Sequence, residues 1–190
     1  MCLGYFLFFL YLFLLGWLLT RIGFVQKAGL RPSIVVSLFL IKIAAGVFSA
    51  WAIRNNINSD TWIYHKDALV EYRLLFTNPS EYFTNLFYTG YQYGYDGVLQ
   101  FHNSYWNDLK TNLMVKFVSV LHIFSFGHYY VNVILYNFLV FFGNIALFRI
   151  FNNIYHNRDK LLVVTCFLLP SFLLFSSTLH KEGLIFAAIS

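Results

Sequence analysis

Charge is what this sequence has least of: Asp, Glu, Lys and Arg make up 11% of its 190 residues, less than half the share of about 25% found in ordinary soluble domains. So few polar side chains do not clothe a globule in water, and a soluble enzyme or binding module is excluded on composition. Proline and cysteine are the next shortages, with three and two residues. Cys2 and Cys166 sit inside apolar stretches without metal-like spacing, so neither a disulfide framework nor a thiolate metal site is encoded. Both read as small buried hydrophobes. No glycine-rich phosphate loop, metal-ligand cluster or nucleophile elbow occurs either. The net charge of +5 comes from residues scattered at the ends of apolar runs. That pattern excludes nucleic acid as a partner and points to membrane lipid.

What is present in excess is hydrocarbon. Hydrophobic residues are 59% of the chain and the mean hydropathy is +0.62. They fall in runs at 1–19, 33–53, 129–150 and 161–179, each long enough as a helix to cross a hydrocarbon core about 30 Å thick. The first run has no charged leader or small-residue cleavage site and reads as a retained anchor. A fifth run starts at residue 184 and is too short to span by Ser190, so the protein is expected to continue beyond that residue. The stretch 113–126, which carries Lys116 and His122, is short for a span and is read as interfacial. The predicted fold is all-α: a polytopic transmembrane helical bundle forming a single domain, incomplete at its C-terminal side.

Topology follows from the basic residues. Arg21, Lys27 and Arg31 lie between the first two runs, and Arg149, Arg158 and Lys160 between the third and fourth, so the positive-inside rule puts both connections on the cytoplasmic side. The loop 54–112 then faces the other way, carrying Asp60, Asp67, Glu71, Glu81, Asp96 and Asp108. A crossing at 113–126 would violate the rule. Within the loop, Trp62, His65, Leu69, Tyr72 and Phe76 recur at helical spacing with Lys66, Asp67 and Arg73 off the stripe, which predicts an amphipathic helix lying on the membrane. Asn78-Pro79-Ser80 ends it, and GYQYGYDG at 90–97 reads as a loop.

Two clusters can carry chemistry. NSDTWIYH, ending at His65, places Asp60 just after a span, where partial desolvation can raise a carboxylate toward general-base strength. The plainer reading is a helix N-cap. FLLPSFLLFSSTLHKEG, ending at Gly183, brings His180, Lys181 and Glu182 to the same face: His180 and Lys181 can hold a phosphate and Glu182 can orient Lys181. Alternatively, the Lys181–Glu182 pair is a solvated boundary marker. Pro170 frees a backbone carbonyl inside its span, with Ser171, Ser176, Ser177 and Thr178 as the nearest groups to satisfy it. Lys42 sits well inside the second run, where a charge usually faces the bundle interior, and its partner is expected in helices beyond this chain. The loop aromatics Tyr82, Tyr88, Tyr91, Tyr93, Tyr95, Tyr105 and Trp106 serve either an interfacial belt or a sugar or acyl surface.

This order of parts resembles the N-terminal half of integral-membrane glycosyltransferases of the C-type fold, the protein mannosyltransferase and aminoarabinose transferase group. The phrases SDTWIYHKDA, NSYWNDLKTNL, YYVNVILYNFLVFFGNIALFRIF and LLPSFLLFSSTLHKEG look more narrowly like a group of bacterial membrane proteins placed near those transferases, over residues 33–190. The first run is then an extra helix. The resemblance implies an external loop with membrane-parallel helices and an inner-membrane location with 54–112 on the non-cytoplasmic side. It also implies transfer of a sugar from a polyprenyl-phosphate donor to an acceptor in cell-envelope glycan assembly. Asp60 takes the position of the catalytic acidic residue, with Tyr64, His65, His180, Lys181 and Glu182 on the substrate side. No organic cofactor is implied. A single Asp stands where some relatives have an acidic pair, which leaves a divalent metal open. The alternatives are a carrier or polymerase-type protein handling lipid-linked glycan without breaking a bond, and a structural membrane protein.

Overall fold

The computed structural model describes residues 2–56, 59–87, 104–155 and 158–190. The loop expected at 90–97, Tyr88 and the start of the NSDTWIYH phrase lie outside these. Among the described residues every regular element is helical. Three helices are long and apolar enough to cross a membrane: α1 (Cys2–Arg21), α3 (Pro32–Ala52) and α7 (Tyr129–Ile154). Short α2 (Gly23–Gln26) links the first two. A fourth candidate is broken: α8 (Asp159–Val163) runs through a π-helical turn (Val164–Leu168) into α9 (Pro170–Ser177), with a 47° bend. The bend falls where Pro170 removes a backbone donor. Last comes α10 (Lys181–Ile189).

Contacts fix the directions. The Trp62 indole donates to the Ala50 carbonyl at 3.1 Å and stacks on Tyr129 at 4.1 Å, so the end of α3 and the start of α7 lie at one end of the bundle. At the other end the Arg149 guanidinium covers the Phe24 ring at 4.7 Å. The α1–α3 connection with Arg21, Lys27 and Arg31 is therefore gathered at the same end as Arg149. The chain leaves α3 and re-enters at α7 on one side, with no net crossing between them.

Between those two points lie α4 (Asp60–Thr77), α5 (Pro79–Thr84), a 3-10 turn (Asn85–Phe87) and α6 (Tyr105–Ser125). α6 begins at Tyr105, capped by the Ser104 hydroxyl that accepts from the Asn107 N–H. The sequence reading began this segment near residue 113 because its first turns are polar and hydropathy does not register them. The helix ends where Phe126 and Gly127 take positive φ of 50° and 81°. α4 runs antiparallel to α6: His65 meets His122, Glu71 pairs with Lys116, and Tyr82 beyond α4 bonds Ser119. The buried face of α4 is Thr61, Tyr64, His65 and Ala68, rotated from the predicted stripe, whose Phe76 is exposed. The reason is that its apolar partner is α6 rather than lipid alone.

The break between α8 and α9 explains the polar residues buried in α7. Pro170 leaves the Cys166 carbonyl without its helical donor, and the Asn144 amide supplies one at 2.7 Å. Asn137 donates to the Ser177 carbonyl at 2.7 Å as α9 ends. The Lys42 ammonium reaches the Ser176 hydroxyl at 2.6 Å. Two expectations are thus corrected: Asn144, not a neighbouring serine, satisfies the carbonyl freed by Pro170, and Lys42 finds its partner within this chain. Cys166 is buried and free, as a small hydrophobe. α10 then turns back along α7, packed so closely that a methyl group on Gly143 would stand 2.8 Å from the Ala187 Cα.

Candidate functional site

Asp60 opens α4 as its first helical residue, with Ser59 as the preceding cap residue making no side-chain capping bond. The N-cap reading of Asp60 therefore does not hold. Its carboxylate is exposed, so the desolvation expected for it is not supplied by this chain's own side chains. Thr61, next along, shares a 2.6 Å hydroxyl bond with Tyr129, and Trp62 lies flat on the same ring. These two contacts seat the start of α4 on α7.

His180, Lys181 and Glu182 arrive at the same corner from below. Tyr136, two turns into α7 and so about 10 Å from its start, donates its hydroxyl to the His180 carbonyl where the chain is extended between α9 and α10. A side chain on Gly183 would run into that hydroxyl, so the turn is held against α7 by a bond and a close approach. The site is set back inside the bundle end.

Electrostatics shows which groups share it. Burial raises the Tyr64 phenol to about 12, and the carboxylates of Asp60 and Glu182 both push the same way. Burial lowers His180 below the ordinary histidine value, against the upward pull of Glu182 and Asp60 and with help from Lys181. Asp60, Tyr64, His180, Lys181 and Glu182 therefore share one electrostatic field, in which two carboxylates act on the neutral Tyr64 phenol. His65 is not part of it. It faces the junction of α4, α6 and α7, where its ring meets His122 at 5.0 Å and Tyr129 at 5.1 Å. Among the described residues no group of three His, Cys, Asp or Glu could hold a metal.

The comparisons add no relative. No family model, curated protein or solved structure matches the chain.

Beside this corner, on the other face of Tyr129, an apolar groove of about 880 Å³ opens between α1, α3 and the start of α7, lined by Gly4, Phe8, Val47, Phe48, Trp51 and Tyr130 among others. Its apolar lining suits a hydrocarbon chain. The sequence reading missed Tyr136, Asn137, Asn144 and His122. A signal existed for two of them: Asn137 and Asn144 are spaced to share one face of an apolar helix, where polar residues turn inward.

Proposed function

We propose that this chain is part of a membrane glycosyltransferase that moves a sugar from a polyprenyl-phosphate donor to a hydroxyl or amine acceptor, on the non-cytoplasmic face of a bacterial inner membrane. The observation that carries it is that the Asp60 carboxylate lies within electrostatic reach of His180, beside Lys181 and Glu182, at the bundle end away from Arg149. Asp60 accepts the acceptor's proton as its oxygen or nitrogen bonds the anomeric carbon. The bond from that carbon to the donor phosphate oxygen breaks, its electron pair stays on the phosphate, and Lys181 and His180 stabilise the charge. Tyr64 and Glu182 orient the pair, and the groove along Trp51 and Tyr130 suits the lipid tail.

With purified full-length protein, a polyprenyl-phosphate sugar and acceptor, free polyprenyl phosphate is expected to accumulate over many turnovers. Binding without release would instead support the carrier reading. The observation favouring that second reading is the discontinuity between α9 and α10, since interrupted spans also build binding sites in carriers.

Sidedness has its own test. In a Cys2→Ser background, Asp60→Cys and Glu182→Cys are both expected to react with an impermeant maleimide added outside intact cells, while Cys166 stays silent because it is buried. Labelling of only one of the two would separate the halves of the proposed site and reject it.

A further inference from the structure

The contact between His65 and His122 is built unlike an ordinary packed pair. Their rings meet edge to face with centroids 5.0 Å apart. His122 is fully buried and His65 nearly so, at 0% and 8% exposure. Each keeps one buried ring nitrogen without a hydrogen-bond partner, Nδ1 of His65 and Nε2 of His122. On its other side, His122 Nδ1 meets the Asn132 amide at 2.9 Å and the Ser125 hydroxyl at 3.3 Å, neither of which carries a negative charge.

The charges around the pair offer no counter-ion among the described residues. On α4, Lys66 adds positive charge near His65, Asp67 is exposed, and Glu71 is engaged by Lys116 of α6. Tyr72 of α4 stands 6.0 Å from the His122 ring. From α7 come Tyr129, against His65, and Asn132, neither of them a carboxylate. His128, just before α7, packs instead on Gly4 of α1.

We propose that the His65–His122 contact is an acid-sensitive latch. While both rings are neutral it adds to the Thr61 and Trp62 contacts that seat the first half of α4, with Asp60 at its start, on α6 and α7, and when either ring takes a proton that half is loosened. A proton on one ring creates a cation without a carboxylate beside it and opposes a proton on the other, so the closed form resists protonation at both.

The direction follows from linkage. Burial, with the neighbouring His122 and Lys66, holds His65 at about 3, and burial holds His122 at about 4 against the pull of the His65 carbonyl. Freed rings titrate near the ordinary value of about 6.5. Both values are depressed in the closed form, so the latch is whole above about 6.5 and weakens as pH falls toward about 4, up to about tenfold per pH unit for each ring.

The latch does not rest on the transferase reading, and only its consequence for Asp60 does. Its test is therefore amide exchange and not turnover. In the purified full-length protein in lipid nanodiscs, with exchange corrected for its intrinsic pH dependence, amides 62–72 are expected to lose at least about tenfold protection between pH 7.5 and 4.5. Amides of α7 from Phe138 onward should not. His65→Gln with His122→Gln should remove that loss. If the double variant does not fold, Asn132→Asp gives the His122 ring a carboxylate and should move the opening down by about one pH unit or more. Unchanged protection in the native protein, an acid opening that persists in the double variant, or an unshifted opening in Asn132→Asp would each overturn the latch.

Discussion

Asp60→Asn in the full-length protein is expected to lower sugar transfer by about 10²–10⁴-fold, the contribution of a positioned general base, while the yield of folded protein stays the same. Asparagine keeps the size and the polar contacts of the side chain and removes only its capacity to take a proton. The fold gives little reason for a stability loss: Asp60 is exposed, makes no capping bond, and the start of α4 is held by Thr61 and Trp62 on Tyr129. A residue kept for helix capping would give the opposite pattern, with folded yield falling and turnover per folded molecule unchanged. Initial rates of polyprenyl-phosphate release, normalised to folded protein, decide it. Turnover within threefold of the native rate would remove Asp60 from the mechanism.

The second large effect is on stability and comes from the break between α8 and α9. Asn144→Leu removes the donor that the Cys166 carbonyl receives at 2.7 Å and leaves that carbonyl unpaired in an apolar setting. The expected loss is about 1–2 kcal/mol, the upper range for a side-chain hydrogen bond between membrane helices. Pro170→Ala restores a backbone N–H one helical turn beyond Cys166, which can serve the same carbonyl. In the Asn144→Leu background, Pro170→Ala should therefore recover part of the loss. Unfolding in mixed micelles of the four members of the cycle should show a coupling of at least about 0.5 kcal/mol. Additive effects would mean that the proline and the asparagine do not share the carbonyl.

The spans were legible because a bilayer demands an unbroken apolar run, and that demand is written locally. The carbonyl freed by Pro170 was legible for the same reason, since one missing N–H acts within its own helix. The existence of α4 also showed in its spacing, but its buried face did not. Which side of an amphipathic helix turns inward depends on what it packs against, and α6 lies far along the chain. α6 itself was half hidden because its first turns, from Tyr105 to Asn112, are polar and pair locally or with the 3-10 turn. At the site, Asp60 and the His180–Glu182 cluster could be put on one face from charge bias alone. Nothing in local sequence said that Tyr136 would hold the His180 carbonyl, because that bond joins residues from different helices. The same limit separated His65 from Asp60: five residues apart on one helix, they face different surroundings.

The order in which the helices are made suits the broken span. Asn137 and Asn144, which satisfy its carbonyls, belong to α7 and leave the ribosome before Cys166 and Ser177 do. By the time the interrupted segment is made, its donors are already there on a helix long and apolar enough to cross a membrane. Exchanging the two segments in the gene would send the unpaired carbonyls in first, with only lipid to meet them.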